Sequence, residues 1–149
     1  MRARHAVLAI LMGLLVLLGW LWLNMLSPYT YDRPEHLADI EEGEHSVFVY
    51  GTLRFAPIRW LVMGRAGEAD PAVLEGYRRE GLDLTEAPGE RVAGEVIEVD
   101  AGELERLDRY ERLGIRYERV PTRLADGRMV WVYRRLKASQ QPADAGATN

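Results

Sequence analysis

The chain has 149 residues and no cysteine. That absence excludes a disulfide framework, a zinc ribbon, an iron-sulfur cluster and a thiol nucleophile. Histidine is scarce: His5, His36 and His45 show no metal-ligand spacing, so no metal centre is expected. A Ser-His-Asp triad would have to rest on His45 alone. Also missing is a basic face. From Ser27 onward the chain holds all 23 acidic side chains and 17 of the 19 basic ones, with the arginines scattered among Glu and Asp, so nucleic acid is not an expected partner. No internal repeat is present.

Residues 6–26, from Ala6 to Leu26, carry no charged side chain. As a helix rising 1.5 Å per residue they would span about 31 Å, the thickness of a bilayer's hydrocarbon core. Arg2 and Arg4 precede the run and Trp20 and Trp22 stand near its far end, at headgroup depth. A cleavable signal peptide would have a shorter apolar stretch and a small-residue cleavage site, and Asn24 to Tyr31 offers none. The expectation is therefore an uncleaved signal anchor over 6–26. Residues 1–5 would lie in the cytoplasm, and the flanking arginines would put the rest on the extracytoplasmic side. Residues 27–44, polar and acidic with Pro28 and Pro34, are expected to be a linker, and 138–149, small and polar, a disordered tail. A domain over 45–137 is left, enough for one small α+β unit.

Within that domain Ser46 to Tyr50 is a β-branched and aromatic run ended by Gly51, expected as a buried strand. Pro57 to Gly64 has helical spacing, with Ile58, Leu61 and Val62 on one face. Ala72 to Tyr77 fits either a helix start after Asp70-Pro71 or a strand. Arg91 to Val99 alternates, with Gly94 suggesting a bulge. Arg116 to Leu124 and Arg128 to Leu136 read as a hairpin around Ala125-Asp126-Gly127. Between those strands Asp100 and Glu103 form a capping-box pattern, and Gly114 is placed to stop the helix.

That helix carries an anomaly. At 100° per residue from Leu104, Leu107 falls at about 300°, Asp108 at about 40° and Glu111 at about 340°. Glu105, Arg106, Arg109 and Arg112 point elsewhere. Glu111 therefore projects from the apolar stripe, where an unpaired charge costs several kcal/mol, roughly. It either pairs with Arg116 or Arg119 as a structural bridge, or serves as an acid/base whose pKa is lifted by desolvation, by the helix's negative end and by Asp108. A second constellation is the turn Tyr50-Gly51-Thr52-Leu53-Arg54. Gly51 ends the strand and leaves the amides of residues 51 to 53 outside any ladder, able to form an anion-holding nest. Taken alone, such a turn usually only connects elements.

Together these segments resemble the gamma-glutamylcyclotransferase-like family. The likeness rests on Tyr50-Gly51-Thr52-Leu53-Arg54, Leu74-Glu75-Gly76-Tyr77-Arg78, Gly94-Glu95-Val96, Leu107-Asp108-Arg109-Tyr110-Glu111, Tyr117-Glu118-Arg119 and Val130-Trp131-Val132-Tyr133. It implies an α+β fold, a small mixed β-barrel with flanking helices, preceded here by the transmembrane helix. Residues 72–78 would then be a strand. It also implies a cavity in which Glu111 is the catalytic acid/base, with Gly51, Thr52 and Leu53 binding substrate through their amides and Tyr50 and Tyr117 walling the pocket. The reaction implied is cyclisation of a gamma-glutamyl amine or peptide to 5-oxoproline with release of the amine, and no cofactor. Two departures stand out: Arg112-Leu113 precede Gly114 where a glycine commonly follows the glutamate, and the segment after Arg54 lacks polar residues. A noncatalytic module binding a small acidic ligand or a membrane partner is the alternative on the same fold.

Overall fold

In the computed structural model, residues 2–25 and 31–137 are described. Leu26, the last residue of the expected membrane segment, lies outside them, as do the first part of the linker and the tail over 138–149. The chain separates into two compact units, Met1–Asp32 and Arg33–Asn149.

The first unit is a helix, α1, Arg2–Met25. Its stretch Arg4–Leu23 is long and apolar enough to cross a membrane, and no part of it is buried. An apolar run rich in Leu and Val and free of Pro gives the backbone no reason to stop, and no polar face along which to fold back.

The second unit is a five-stranded mixed sheet curled into a half-barrel with two flanking helices. Its elements follow in the order β1 (Glu44–Val49), a single 3-10 turn (Thr52–Arg54), α2 (Ala56–Met63), β2 (Asp70–Glu80), β3 (Asp83–Asp100), α3 (Ala101–Glu111), β4 (Tyr117–Arg123) and β5 (Met129–Arg135). The strand order is β2-β3-β1-β5-β4, with β1 and β5 parallel and every other pair antiparallel. Curling brings the β4–β5 turn onto β2, where the Ala125 amide donates to the Val73 carbonyl at 3.1 Å. Phe48, Leu74, Val92, Val96, Val130 and Val132 fill the inside. Each is an inward member of an alternating strand, and on the opposite face Val47, Ile97 and Val99 are fully buried as well.

Residues 72–78 are strand, within β2, which resolves the ambiguity left by the local sequence. Two glycines act differently from expectation. Gly94 is no bulge. A Cβ there would lie 2.4 Å from Phe48 Cζ and 2.6 Å from the Val49 carbonyl, so glycine is what lets β3 cross tightly over β1. The irregularity falls instead between Glu75 and Tyr77, around Gly76 with φ +78°. In α2 the buried side chains are Arg59, Val62 and Met63, whereas Leu61 is exposed. The expected face is rotated because Arg59 turns inward to bind carbonyls.

The capping box forms as the sequence predicts, with Asp100 accepting from the Glu103 amide at 2.7 Å and Glu103 from the Asp100 amide at 3.0 Å. The helix end differs. α3 stops at Arg112, which takes the left-handed conformation with φ 54° and ψ 57°, a position that favours glycine. Gly114, also at positive φ, serves instead to admit the segment before β1, because a Cβ there would press on Pro34 at 2.9 Å and Leu37 at 3.3 Å. Residues 33–38 of the expected linker therefore lie against the domain.

Candidate active site

Glu111 ends α3 half-buried, where the capping box and the fully buried Leu104 and Leu107 aim it. Burial alone pushes its carboxyl up to about 7. Among the described residues no cation or hydrogen-bond donor reaches it. The two partners a structural bridge would need are elsewhere: Arg119 is spent on Asp108 at 3.1 Å, and Arg116 is exposed. A carboxyl in this setting carries a proton about half the time at neutral pH, as an acid/base requires.

Asp108, one turn back and fully buried, is satisfied three ways. It accepts from Arg33 at 3.1 Å, from Arg119 at 3.2 Å and from the Tyr133 hydroxyl at 2.6 Å. Burial pushes its carboxyl up, opposed by Tyr133, Arg119 and Arg33. Arg119 is held in turn by stacking 4.8 Å from the Trp131 ring centroid.

Four tyrosines gather near Glu111. The phenols of Tyr50, Tyr110, Tyr117 and Tyr133 are all raised above the usual tyrosine range, chiefly by burial, and the Glu111 charge adds to each. They stay protonated at neutral pH and present O–H groups. Tyr50 is buried and donates to the Tyr133 carbonyl at 2.8 Å, while Tyr117 is half-buried. Tyr110 shares a hydrogen bond with Thr52 Oγ1 at 3.2 Å, which links the Glu111 helix to the turn after β1.

In that turn the carbonyl side is tied down and the amide side is not. Arg59, 5% exposed, donates to the Leu53 carbonyl at 3.0 Å, the Arg54 carbonyl at 2.8 Å and the Ala66 carbonyl at 2.6 Å. The Arg54 and Phe55 amides bond back to Gly51 and Thr52, but among the described residues no acceptor meets the amides of Gly51, Thr52 or Leu53. The Leu53 side chain is in the core and contributes no wall. Gly51 and Thr52 open onto a cavity of about 410 Å³ shared with Arg54, Arg79 and Glu95. Glu111 and Tyr117 do not line that cavity.

Sequence reasoning did not single out Arg59, Arg79, Tyr110 or the Asp108 network. Arg59 had a signal, a lone cation inside the apolar run Phe-Ala-Pro-Ile-Arg-Trp-Leu. Asp108 had one too, since the helical projection placed it in the apolar stripe beside Glu111. No cluster of three His, Asp or Glu side chains able to hold a metal occurs among the described residues.

The model of the family described as gamma-glutamyl cyclotransferase, AIG2-like, matches residues 47–147. The chain belongs to that family. Two solution structures of Arabidopsis thaliana proteins are similar to this AIG2-like domain. One has 27% identity and a TM-score of 0.53, covering 76% of this chain and 74% of that one. The other has 26% identity and a TM-score of 0.55, covering 70% and 76%. An uncharacterised human protein at 20% identity, with a TM-score of 0.50 and coverage of 65% and 69%, shares the fold. No curated protein matches the sequence. The AIG2-like match takes in the Gly51–Leu53 turn, Glu111 and Tyr117.

Proposed function

We propose that this chain is a membrane-anchored gamma-glutamyl cyclotransferase, with Glu111 as its acid/base. The observation that carries the proposal is the half-buried Glu111 carboxyl, pushed up to about 7 by desolvation, near neutral phenols and, among the described residues, left without a cation. A structural carboxylate in a fold this small is paired, as Asp108 is; Glu111 is kept at a cost that only use explains.

The substrate's α-amine is its own nucleophile, placed to close a five-membered ring on the γ-carbonyl, so proximity supplies much of the rate. Glu111 removes a proton from the α-ammonium. The amine nitrogen then bonds to the γ-carbon, and the oxyanion that forms is held by the amides of Gly51, Thr52 and Leu53. Glu111 returns the proton to the departing nitrogen as the old C–N bond breaks, and the extra proton on the ring nitrogen then passes to the released amine, leaving 5-oxoproline and an ammonium. Such proton transfer is worth typically ~10²–10⁴-fold. Tyr50 and Tyr117 wall the reacting groups off from water. No cofactor enters any step.

α1 is the anchor in this reading. Arg2 and Arg4 stay in the cytoplasm, and the domain works on the extracytoplasmic side. The test is turnover of a panel of gamma-glutamyl amines and peptides by the full chain in detergent, followed by detection of 5-oxoproline. Glu111→Gln should abolish it while the folded circular dichroism spectrum is kept. Loss of folding in that variant supports a structural role and defeats the proposal.

A further inference from the structure

α2 is built inside out. Its single cation, Arg59, is buried together with Val62 and Met63, whereas Ala56, Pro57, Trp60 and Leu61 face outward. Phe55, which precedes the helix, is 65% exposed, Trp60 62% and Leu61 53%. A helix on the surface of a globular domain normally turns its polar side to water. Here the outward side has no charged side chain and, apart from the Trp60 indole N–H, no polar side-chain atom. This is the stretch after Arg54 that lacks polar residues, and the cyclisation gives it no task. No acidic residue occurs between Glu44 and Glu68, in a domain with more acids than bases, while the exposed Arg54 and Arg65 bracket the helix.

We infer that the outer face of α2 docks on the phospholipid surface of the membrane that α1 enters, with Phe55, Trp60 and Leu61 inserted at headgroup depth. The inference rests on the reading of α1 as an anchor. Nine residues, 24–32, separate Leu23 from Arg33, and Arg33 is tied to the domain through Asp108 at 3.1 Å. At full stretch such a tether reaches about 35 Å, so lipid is always close and shallow insertion becomes an intramolecular event. Aromatic rings and leucine flanked by arginines are what the interfacial region retains, and no carboxylate on this stretch repels anionic headgroups. Other occupants fit less well. The segment 138–149 has no apolar residue larger than proline, and three large side chains fall short of the about 800 Å² per partner that a stable dimer buries.

Because the chain lacks cysteine, single cysteines can carry an environment-sensitive fluorophore. Full chains bearing Leu61→Cys, Leu14→Cys or Met129→Cys are labelled and reconstituted into vesicles of phosphatidylcholine and phosphatidylglycerol, with and without nitroxide-labelled lipid. Leu14 reports on α1, and Met129, an exposed apolar residue of β5, is the control. The Leu61 label should shift to the blue and lose most of its emission to the nitroxide, and the Met129 label should keep its own. Replacing Phe55 and Trp60 by serine in the Leu61→Cys chain should restore most of the lost emission while the circular dichroism spectrum is kept. A Leu61 label that the nitroxide leaves untouched overturns the docking; if the Leu14 label is quenched all the same, the anchor stands. Quenching at Leu61 without quenching at Leu14 shows a face that binds lipid and defeats the anchor instead. A blue shift at Leu61 that the nitroxide does not quench means that a second copy or another segment of the chain covers the face, and it overturns the inference. Quenching that is equal at Met129, or indifferent to the two serines, does so too.

Discussion

Asp108 and Glu111 stand three residues apart on one helix, and among the described residues two arginines form ion pairs with the first and none with the second. Arg33 and Arg119 both meet Asp108 at 3.1 Å, and the Tyr133 hydroxyl completes the set. Glu111, one turn further on, is left to its own desolvation. Burial raises both carboxyls, but at Asp108 the Tyr133 hydroxyl and the two arginines oppose it, whereas desolvation acts on Glu111 without such opposition.

Activity should therefore rise with pH through the Glu111 transition. With the carboxyl near 7, the basic form that accepts the proton from the substrate ammonium grows about fivefold from pH 6 to pH 7 and about twofold beyond, then levels. A kcat/KM profile with its acid limb midpoint near pH 7 is the expected result; a midpoint near the ordinary glutamate value of about 4.3 would mean that Glu111 is not the group titrating.

Glu111→Gln should stabilise the domain, and the gain should depend on pH. A carboxyl raised in the folded state holds its proton more tightly folded than unfolded, so the wild type is at its best below the unfolded value of about 4.3 and loses stability as pH climbs toward 7. The uncharged amide avoids that loss, which is on the order of 3 kcal/mol when complete. Thermal melts at pH 8 should place the variant above the wild type, and melts at pH 4 should bring them together.

Asp108→Ala should destabilise the fold by about 3–5 kcal/mol, because it strands Arg119 and the Tyr133 hydroxyl in the interior. Arg33→Ala removes a partly exposed member and should cost less, about 1 kcal/mol. Urea unfolding of the two variants checks the order. Equal effects would show that the buried carboxylate does not depend on Arg119 and Tyr133 for its place.

Gly94→Ala should be among the most damaging small substitutions in the sheet. The added methyl meets the Phe48 ring and the Val49 carbonyl at distances no real Cβ shows, and overpacking of this kind typically costs about 1–3 kcal/mol. Gly127→Ala, at a turn with open space around it but φ +90°, should cost only about 1 kcal/mol from backbone strain. Comparing the two melts separates crowding from conformation.

The local geometry around the candidate residues was readable in the sequence where it depends on local rules. The capping box fixed the start of α3 to the residue, and counting 100° steps from Leu104 placed Glu111 on the inward side. The hairpin at Asp126-Gly127 formed for equally local reasons, with the Leu124 amide bonded to the Arg128 carbonyl at 2.9 Å. What escaped was set by partners far along the chain. Asp108 is defined by Arg33, Arg119 and Tyr133, and no spacing within the helix announces them. Gly94 has the look of a bulge until Phe48 is seen behind it. Arg112 ends its helix in a glycine conformation, so the helix stops before the glycine that signalled its end. Residues 72–78 matched two periodicities, and only pairing with β3 chose between them.

The parallel seam between β1 and β5, Val47 against Trp131 and Phe48 against Val132, has a consequence for biosynthesis. β1 is the first strand to leave the ribosome, yet one of its two edges has no neighbour until the final strand has been made. For most of translation the nascent chain carries an apolar strand with one side unsatisfied, an invitation to aggregation that late, long-range pairing prolongs. Shortening the protein from its carboxyl end into β5 would leave that seam open for good.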